Sequence, residues 1–320
     1  MQRALGSIIA LFVLSPMIGQ VSTAQTTDFQ YDLNASYDCD RACLNEIADQ
    51  YLASIVSHDP SRAPVARDVK FSENGQMLKV GDGLWQTASG LPTYKVLLED
   101  PEAGEIMFMG VIPENGKPAI VATRLKVELK RITEVETEVA RNQDVYFNHP
   151  EKLTSRPIVS EIVPSAQRIS RENMIAVANA YYSAIEKDDG SKPFPVSSDV
   201  VRIMNGDQDC PKPRRGGAAN EILNCDQETR FGIYKEDTLI RDRQCKLADV
   251  ERGLLFCYVY FDHAATLRSW KLANGTVETA SYPGPWTWQG AEIFKIRNKM
   301  IIYIEAFVIP VPYRMKAPGW

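Results

Sequence analysis

The same hydrophobic pattern occurs twice in this chain, in LNEIADQYLASI (residues 44–55) and in MIAVANAYYSAI (residues 174–185). Apolar side chains recur in both stretches at positions i, i+3, i+4, i+7 and i+11, which is the spacing of one face of an amphipathic helix. Asp40 and Ser170 precede the two stretches and are suitable N-cap residues. The sequence therefore predicts two equivalent helices, 130 residues apart.

The segments that follow the two helices also correspond. Each helix leads to an acidic, turn-rich segment and then to a short strand that ends in Asn-Gly, at residues 74–75 and 205–206. Two strands joined by a tight turn come later in each half, at residues 125–136 and 294–305. A helix, a strand and a hairpin in the same order predict a tandem duplication, with the same fold in both halves.

Domain boundaries follow from this repeat. Residues 142–166 contain three prolines and no sustained periodicity, which is typical of a linker. We therefore predict a first domain at residues 25–141, this linker, and a second domain at residues 167–320. Because helices precede a run of strands in each domain, the predicted fold class is α+β, with N-terminal helices packed on a curved antiparallel sheet.

This arrangement resembles the SnoaL-like, ketosteroid-isomerase-like cone fold, which is also called the nuclear-transport-factor-like fold. The resemblance covers nearly the whole chain after residue 24, as two tandem cone-shaped domains. Several motifs are more specifically similar to a secreted family of uncharacterised tandem SnoaL-like proteins of bacteria and fungi. These motifs are GLWQTA at residues 83–88, RDR at 241–243, FDHA at 261–264, AEIFKI at 291–296, VPY at 311–313 and GW at 319–320.

The N-terminus has the order of a secretory signal peptide. Arg3 precedes a short apolar run at residues 5–13, and small residues at 22–24 provide a cleavage site. We therefore predict a signal peptide at residues 1–24 and a secreted or periplasmic protein, with an uncleaved membrane anchor as the alternative. No later segment has about 18 consecutive apolar residues, so no membrane association is expected after cleavage.

Composition and charge argue against several classes of function. The chain of 320 residues is 44% hydrophobic and 24% charged, which is typical of a globular protein with a substantial core. Its net charge is −5, so a surface that follows nucleic-acid phosphates is not expected. It has three His residues without the spacing of metal ligands, so no metal site is predicted.

The six cysteines favour disulfides, because export would place them in an oxidising compartment. Residues 238–247 and 254–263 have the pattern of a hairpin, and if Asp249 faces Gly253, two cysteines fall opposite each other. Two more flank a loop at residues 211–224, and the last two lie at the start of the first helix. Zinc is the alternative, but paired C-x-x-C motifs are absent. The predicted pairs are Cys245–Cys257, Cys210–Cys225 and Cys39–Cys43.

The family resemblance implies a pocket between the concave face of the sheet and the helices. It also implies lyases, isomerases, dehydratases or cyclases that need no metal or other cofactor. In such sites a carboxylate or a histidine shuttles a proton, and a Tyr, Asp or Arg stabilises the negative charge that develops. The second domain is the better place to look, because the corresponding strand of the first, at residues 105–111, has no Asp-His pair.

Asp262 and His263, at the end of an apolar strand, are the best candidates for this chemistry. Strand alternation sends their side chains to opposite faces of the sheet. The predicted hairpin register places Arg241 opposite Phe261, so that Arg241 and Arg243 share the face of His263 and would stabilise an anion beside it. The alternatives are an Asp that caps a turn, a His that only packs, and two arginines on a solvated face.

Aromatic residues are the candidates for contact with a substrate. Two tyrosines alternate along the strand before Asp262 and share its face. Three aromatic side chains between residues 281 and 288 would form a wall for a ring-bearing ligand, and ordinary core or loop packing is the alternative. The predicted substrate-binding residues are Tyr258, Tyr260, Trp286, Trp288, Trp85 and Tyr94.

The predicted function is that of an exported, cofactor-free lyase or isomerase. It would act by general acid/base chemistry on a small, partly apolar carbonyl or aromatic compound. The alternatives are a non-catalytic module that binds a small molecule or a partner, and a structural role for two halves packed as an intramolecular pseudo-dimer. The feature that separates enzyme from binding module is whether His263 and an arginine converge in an enclosed pocket.

Overall fold

The computed structural model describes residues 39–141, 149–213 and 222–320, so the predicted signal peptide lies outside the described residues. Both predicted helices begin at their predicted caps. The Asp40 side chain accepts a hydrogen bond from the N–H of Cys43 at 2.9 Å, and the Ser170 side chain accepts one from the N–H of Asn173 at 3.4 Å. These bonds satisfy backbone donors that the first turn of a helix leaves unpaired.

Each half of the chain forms a unit with one long helix, one short helix and a six-stranded sheet. The first unit contains α1 (Arg41–Val56), β1 (Val65–Glu73), β2 (Gln76–Met77), α2 (Leu84–Thr87), β3 (Tyr94–Asp100), β4 (Glu105–Glu114), β5 (Lys117–Glu128) and β6 (Arg131–Ala140). The short helix α3 (Pro157–Ser160) follows it. The second unit contains α4 (Arg171–Lys187), β7 (Val196–Met204), β8 (Asp207–Cys210), β9 (Lys212–Pro213), β10 (Ile222–Leu223), α5 (Glu228–Phe231), β11 (Leu239–Asp249), β12 (Leu254–His263), β13 (Ser269–Lys271), β14 (Val277–Thr279), β15 (Trp286–Arg297) and β16 (Met300–Val311).

The two sheets have the same strand order. The first is β2-β1-β6-β5-β4-β3, and the second is β8-β7-β16-β15-β12-β11. In each sheet the first long strand pairs in parallel with the last, and the other neighbours are antiparallel. The predicted α+β class, in which helices precede a curved sheet twice, is confirmed. The parallel pair is a feature that the sequence did not indicate. Among the described residues, no helix is long and apolar enough to cross a membrane.

The two Asn-Gly turns make the same contacts in both units. Asn74 has a φ of 49° and Asn205 a φ of 46°, and the glycine after each is also left-handed, as a type I′ turn requires. The Asn74 side chain donates to the carbonyl of Val139 at 3.2 Å and accepts from its N–H at 2.7 Å. Asn205 makes the same two bonds with Val308, both at 2.9 Å. Each asparagine therefore ties the first strand of its sheet to the last.

Each sheet packs its long helix on one face and the other sheet on the opposite face. The buried apolar residues of α1 form one cluster with the inward face of the first sheet, and those of α4 form a second cluster with the inward face of the second sheet. A third cluster lies between the two sheets, so the two units together form one compact body. It includes Val96, Met107, Met109, Phe256, Tyr258 and Phe307.

Two arginines join the units reciprocally. Arg41, the first residue of α1, contacts Asp249 of the second unit, with Nη1 2.7 Å from Oδ2. Arg171, the first residue of α4, contacts Asp100 of the first unit, with Nη2 2.5 Å from Oδ1. Both carboxylates are buried. Asp249 is the last residue of β11 and Asp100 is the last residue of β3, and these two strands occupy equivalent edges of the two sheets. The start of each long helix is thereby anchored to the sheet of the other unit.

The three predicted disulfides are present, but the hairpin register from which one of them was predicted is wrong by one residue. Asp249 faces Leu254 rather than Gly253. Two irregularities in β11 then shift the pairing further along the hairpin. The irregularity between Leu247 and Gln244 restores the predicted alignment, so Cys245 and Cys257 still face each other. The second irregularity, between Gln244 and Arg241, shifts the pairing by one residue again. The Cα–Cα separations are 4.0 Å for Cys245–Cys257, 5.5 Å for Cys210–Cys225 and 5.0 Å for Cys39–Cys43.

Candidate functional site

The second unit contains a cavity of about 300 Å³. It lies against the inward face of the sheet, beneath α4 and the segment that leads into β11. Aromatic, acidic and basic side chains share its walls, so it combines an apolar interior with groups that can titrate or bind charge. The lining residues on which the site depends are His263, Asp237, Glu292, Arg202, Phe261 and Trp288.

His263 is held in this cavity by a carboxylate and an aromatic ring. It is the last residue of β12 and is 2% exposed. Its Nε2 lies 2.7 Å from Oδ1 of Asp237, and its ring stacks on Trp286 at 3.9 Å with an interplanar angle of 9°. Its Nδ1 has no hydrogen-bond partner among the described residues. When Nε2–H donates to Asp237, Nδ1 is the basic nitrogen and can accept a proton.

Glu292 is a second acid/base group in the same cavity. It lies on β15, six residues after Trp286 and on the same face of the strand, and it is 3% exposed. Its Oε2 accepts a hydrogen bond from the Tyr182 hydroxyl at 2.7 Å. Burial raises the pKa of Glu292 to about 7, although the Tyr182 hydroxyl and Arg202 favour its charged form. Glu292 is therefore divided between its protonated and ionised forms at neutral pH.

Arg202 forms the centre of a buried ionic cluster in the cavity wall. It is 3% exposed, and its guanidinium donates to Asp209, to the Tyr234 hydroxyl at 2.7 Å and to both oxygens of Glu228 at 2.9 and 3.0 Å. Burial opposes the ionisation of Asp209, but Arg202 and Lys212 hold its pKa below its usual range. Because two carboxylates occupy its donors, Arg202 stabilises the wall rather than presenting a free cation to the cavity.

The sequence predicts that Arg241 lies beside His263, and this prediction is wrong. Arg241 faces Tyr260 rather than Phe261 and therefore points to the opposite side of the sheet. Its Nε donates to Oδ2 of Asp262 at 2.9 Å, and its guanidinium lies over the Tyr260 ring at 5.0 Å. A register error of one residue moves every side chain to the other face, which is the reason for this difference.

Asp242 marks the point at which the register of β11 shifts. Its φ is 49°, and an irregularity in the pairing follows directly. Arg243, the next residue, faces α4 on the predicted side of the sheet but does not line the cavity that contains His263. Its Nη1 donates to the Ser183 hydroxyl at 2.9 Å and its Nη2 to Glu186 at 3.1 Å, so it fastens β11 to α4.

Asp262 and the two tyrosines share one face of β12, as predicted, and this face is turned toward the first unit. Asp262 is fully buried and accepts a hydrogen bond from Thr287 at 2.7 Å as well as those from Arg241. The Tyr258 hydroxyl donates to backbone carbonyls of the first unit at 2.9 and 3.1 Å. Tyr260 is buried beneath Arg241. These residues lie between the sheets and do not line the cavity.

The remaining predicted substrate contacts are divided between the units. Trp288 lines the cavity, and Trp286 supports the ring of His263. Trp85 packs edge to face on Tyr51 in the interior of the first unit, at 5.4 Å. Tyr94 donates to Glu305 of the second unit at 2.8 Å. A role for any of them in contact with a substrate stays a prediction.

Two residues of the site escaped sequence reasoning for different physical reasons. Glu292 is a carboxylate in an otherwise apolar stretch of β15, and this pattern is a usable sign of a buried acid. Asp237 lies in the loop before β11, and only the tertiary fold brings it to His263. Among the described residues, no group of three or more His, Cys, Asp or Glu side chains could hold a metal ion.

Glu292→Gln should stabilise the chain at alkaline pH and have little effect in acid. The folded-state pKa of about 7 exceeds the ordinary 4.5, so the folded chain holds the proton more tightly. Stability therefore falls as pH rises from 4.5 to 7, by up to about 3 kcal/mol, and the full cost is present above pH 7. Glutamine keeps an acceptor for Tyr182 without the charge. Chemical unfolding at about pH 5 and pH 8, with the exposed Glu251→Gln as control, measures the difference. An equal effect at both pH values would contradict the argument.

The chain is similar to one family model and to several solved structures. A family described as a domain of unknown function (DUF8021) matches residues 167–308. No curated protein matches the chain. An NTF2-like protein of unknown function from Cytophaga hutchinsonii is 10% identical, with 30% of this chain and 88% of that chain covered and a TM-score of 0.26. A putative ketosteroid isomerase from Kribbella flavida is 13% identical, with 36% and 90% covered and a TM-score of 0.27. AclR, a putative hydroxylase from Streptomyces galilaeus, is 10% identical, with 40% and 92% covered and a TM-score of 0.27.

Proposed function

We propose that the second unit is a cofactor-free acid/base catalyst, a lyase or isomerase, that acts on a small, partly apolar carbonyl or aromatic compound. One observation carries this proposal. A histidine held by a carboxylate at 2.7 Å and a buried carboxyl group with a pKa of about 7 line the same cavity. Groups with pKa values near the working pH are the most effective general acids and bases.

His263 and Glu292 lie at different places along the sheet, because Cys257, the strand partner of Glu292, is six residues from His263. The proton transfer is therefore assigned to one residue, His263. Nδ1 of His263 accepts a proton from a carbon next to a carbonyl group, and Asp237 stabilises the imidazolium that forms. The electron pair of the broken C–H bond moves into the conjugated system. The imidazolium then returns a proton to another carbon of the conjugated system, which completes an isomerisation, or to a leaving group, which completes an elimination. While the proton is on His263 it exchanges with water, so that deuterium from D₂O enters the product.

Deuterium exchange tests this function without knowledge of the natural substrate. The full disulfide-bonded chain is incubated in D₂O with aromatic and alkyl ketones that are neutral, anionic or cationic, and deuterium uptake next to the carbonyl is followed by mass spectrometry. We expect uptake above the buffer rate for one class of ketone, and a reduction of about tenfold or more in Asp237→Asn. His149→Asn, at an exposed histidine outside the cavity, is the matched control. Uptake at the buffer rate for every ketone would contradict catalysis.

A binding module without catalysis is the second candidate, and the state of Arg202 favours it. Each guanidinium nitrogen of this arginine donates to Asp209, Glu228 or a tyrosine hydroxyl. Arg202 therefore does not supply the free cation that was expected to stabilise an enolate-like charge. Saturable binding of a ketone without any deuterium uptake would support this candidate.

We propose further that the two units act as an intramolecular pseudo-dimer in an exported protein. The reciprocal pairs of Arg41 with Asp249 and of Arg171 with Asp100 support this arrangement, because matched contacts of this kind are typical of a two-fold interface. Three disulfides support export, since such bonds persist in oxidising compartments. On this proposal the first unit stabilises the second, which holds the site.

A further inference from the structure

The cavity of the second unit has an unequal balance of charge. Three of its lining carboxylates have no lysine or arginine within ion-pair distance in the part of the chain that the structure describes: Glu236, Asp237 and Glu292. Glu236 accepts hydrogen bonds from the backbone and hydroxyl of Ser281 at 2.9 and 2.6 Å. Asp237 contacts His263, and Glu292 contacts the Tyr182 hydroxyl. The three carboxylates are thus oriented by neutral donors and by an imidazole.

Among the described lining residues, Arg202 and Lys212 are paired with other carboxylates than these three. Arg202 is held by Glu228 and Asp209, and Lys212 lies 2.8 Å from the other oxygen of Asp209. Two cations and two carboxylates therefore balance one another within the wall. Glu236, Asp237 and Glu292 add negative charge to the described part of the wall, and all three line the same cavity.

Aromatic rings form much of the remaining wall. The faces of such rings carry partial negative charge and attract cations, and they also bury apolar groups. An imidazole whose Nδ1 has no partner among the described residues, and which is 2% exposed, completes the lining. Carboxylates beside aromatic faces are a combination that recognises organic ammonium groups. The rings are Tyr181, Phe231, Tyr234, Phe261, Trp270 and Trp288.

We propose that the ligand of this cavity is a small organic cation, an amine or ammonium compound with an aromatic or alkyl body. The inference rests on the proposed function, because it names the substrate class of the same cavity. The ammonium group lies among Glu236, Asp237 and Glu292, and the body packs on the rings. Glu292 is 3% exposed, and a buried carboxylate without an ion-pair partner is costly, so a cation beside it is favoured and an anion of the same shape is rejected.

Three probes of similar shape and different charge test the inference. They are 2-phenylethylamine, 2-phenylethanol and 3-phenylpropionate, each titrated by calorimetry into the full disulfide-bonded chain at about pH 8, where Glu292 is ionised. We expect the amine to bind about tenfold more tightly than the alcohol, and the carboxylate to bind most weakly. Glu236→Gln should reduce the preference for the amine several-fold, while Glu251→Gln, an exposed glutamate outside the cavity, should leave it unchanged.

The inference is wrong if the alcohol binds as tightly as the amine, or if none of the three probes binds. Its failure is separable from failure of the proposed function, because the probes report binding and the ketones report proton transfer. A preference for the amine with no deuterium uptake would support a cationic ligand and contradict catalysis. Deuterium uptake from ketones without any preference for the amine would support catalysis and contradict a cationic ligand.

Discussion

Replacing Arg202 with leucine should lower the free energy of unfolding by about 3–5 kcal/mol at neutral pH, the largest stability effect that we expect in this chain. The guanidinium is 3% exposed and is the ion-pair partner of Glu228, which is fully buried. It also pairs with Asp209. Leucine fills part of the space but leaves two carboxylates without their main counter-charge, and such a carboxylate must be protonated or reach water. Chemical unfolding with the disulfides intact measures the loss.

A second variant distinguishes this cause from a simple packing defect. Glu228→Leu combined with Arg202→Leu removes an ion pair as a unit, so we expect the double variant to recover much of the lost stability. Arg297→Leu, which breaks a pair with exposed Glu161, should cost less than about 1 kcal/mol. Equal losses in the single and double variants would show that shape rather than charge governs this position.

The first unit has an apolar residue at the position that corresponds to Arg202. Its Asn-Gly turn corresponds to that of the second unit, and counting back from each turn places Phe71 at the position of Arg202. Phe71 is 2% exposed and belongs to the hydrophobic core of the first unit. An apolar residue is thus sufficient for the fold at this position. We infer that the charged cluster serves the cavity of the second unit.

His263→Ala should reduce deuterium uptake from a responsive ketone by about 10²–10⁴-fold. The substitution removes Nδ1, the proposed proton acceptor. No other histidine is among the described residues that line the cavity. Asp237→Asn should produce a smaller loss, because the ring remains but the imidazolium is less stabilised. Rates measured by mass spectrometry, well below the melting temperature of each variant, give both values.

Stability must be measured beside the rate, because His263 also packs on Trp286 at 3.9 Å. If the His263→Ala chain binds the same ketone with an unchanged Kd but no longer exchanges deuterium, the histidine acts in proton transfer. If uptake falls only in proportion to the folded fraction, the histidine is a packing residue. The catalytic proposal would then lose its main support.

The helices, the turns and the order of helix, strand and hairpin along the chain could be predicted because each depends on local sequence. The apolar stripes gave both long helices, the cap residues gave their starts, and the paired Asn-Gly sequences gave two matching turns. The parallel pairing of the first and last strands is non-local and left no mark in the periodicity. Pairings of this kind depend on the whole sheet rather than on any one segment.

The site was harder to predict because it depends on register and on a loop. One left-handed residue, Asp242, shifts the pairing of β11 and moves Arg241 to the face opposite His263. Nothing in the alternation of hydrophobic residues reveals such a bulge. Asp237 belongs to no helix or strand, so no periodicity could place it near His263. The burial of Glu292 depends on how α4 covers the sheet.

The central claim is that a cavity of the second unit holds a buried group ready for proton transfer. The titration of Glu292 tests this claim most directly. The side-chain carboxyl carbons of the full disulfide-bonded chain are labelled with ¹³C, and Glu292→Gln assigns the resonance. Because burial is the main cause of the shift, we predict a midpoint at a pH of about 7. A midpoint near the ordinary pKa of 4.5 would mean that water reaches the carboxylate, and it would contradict the account.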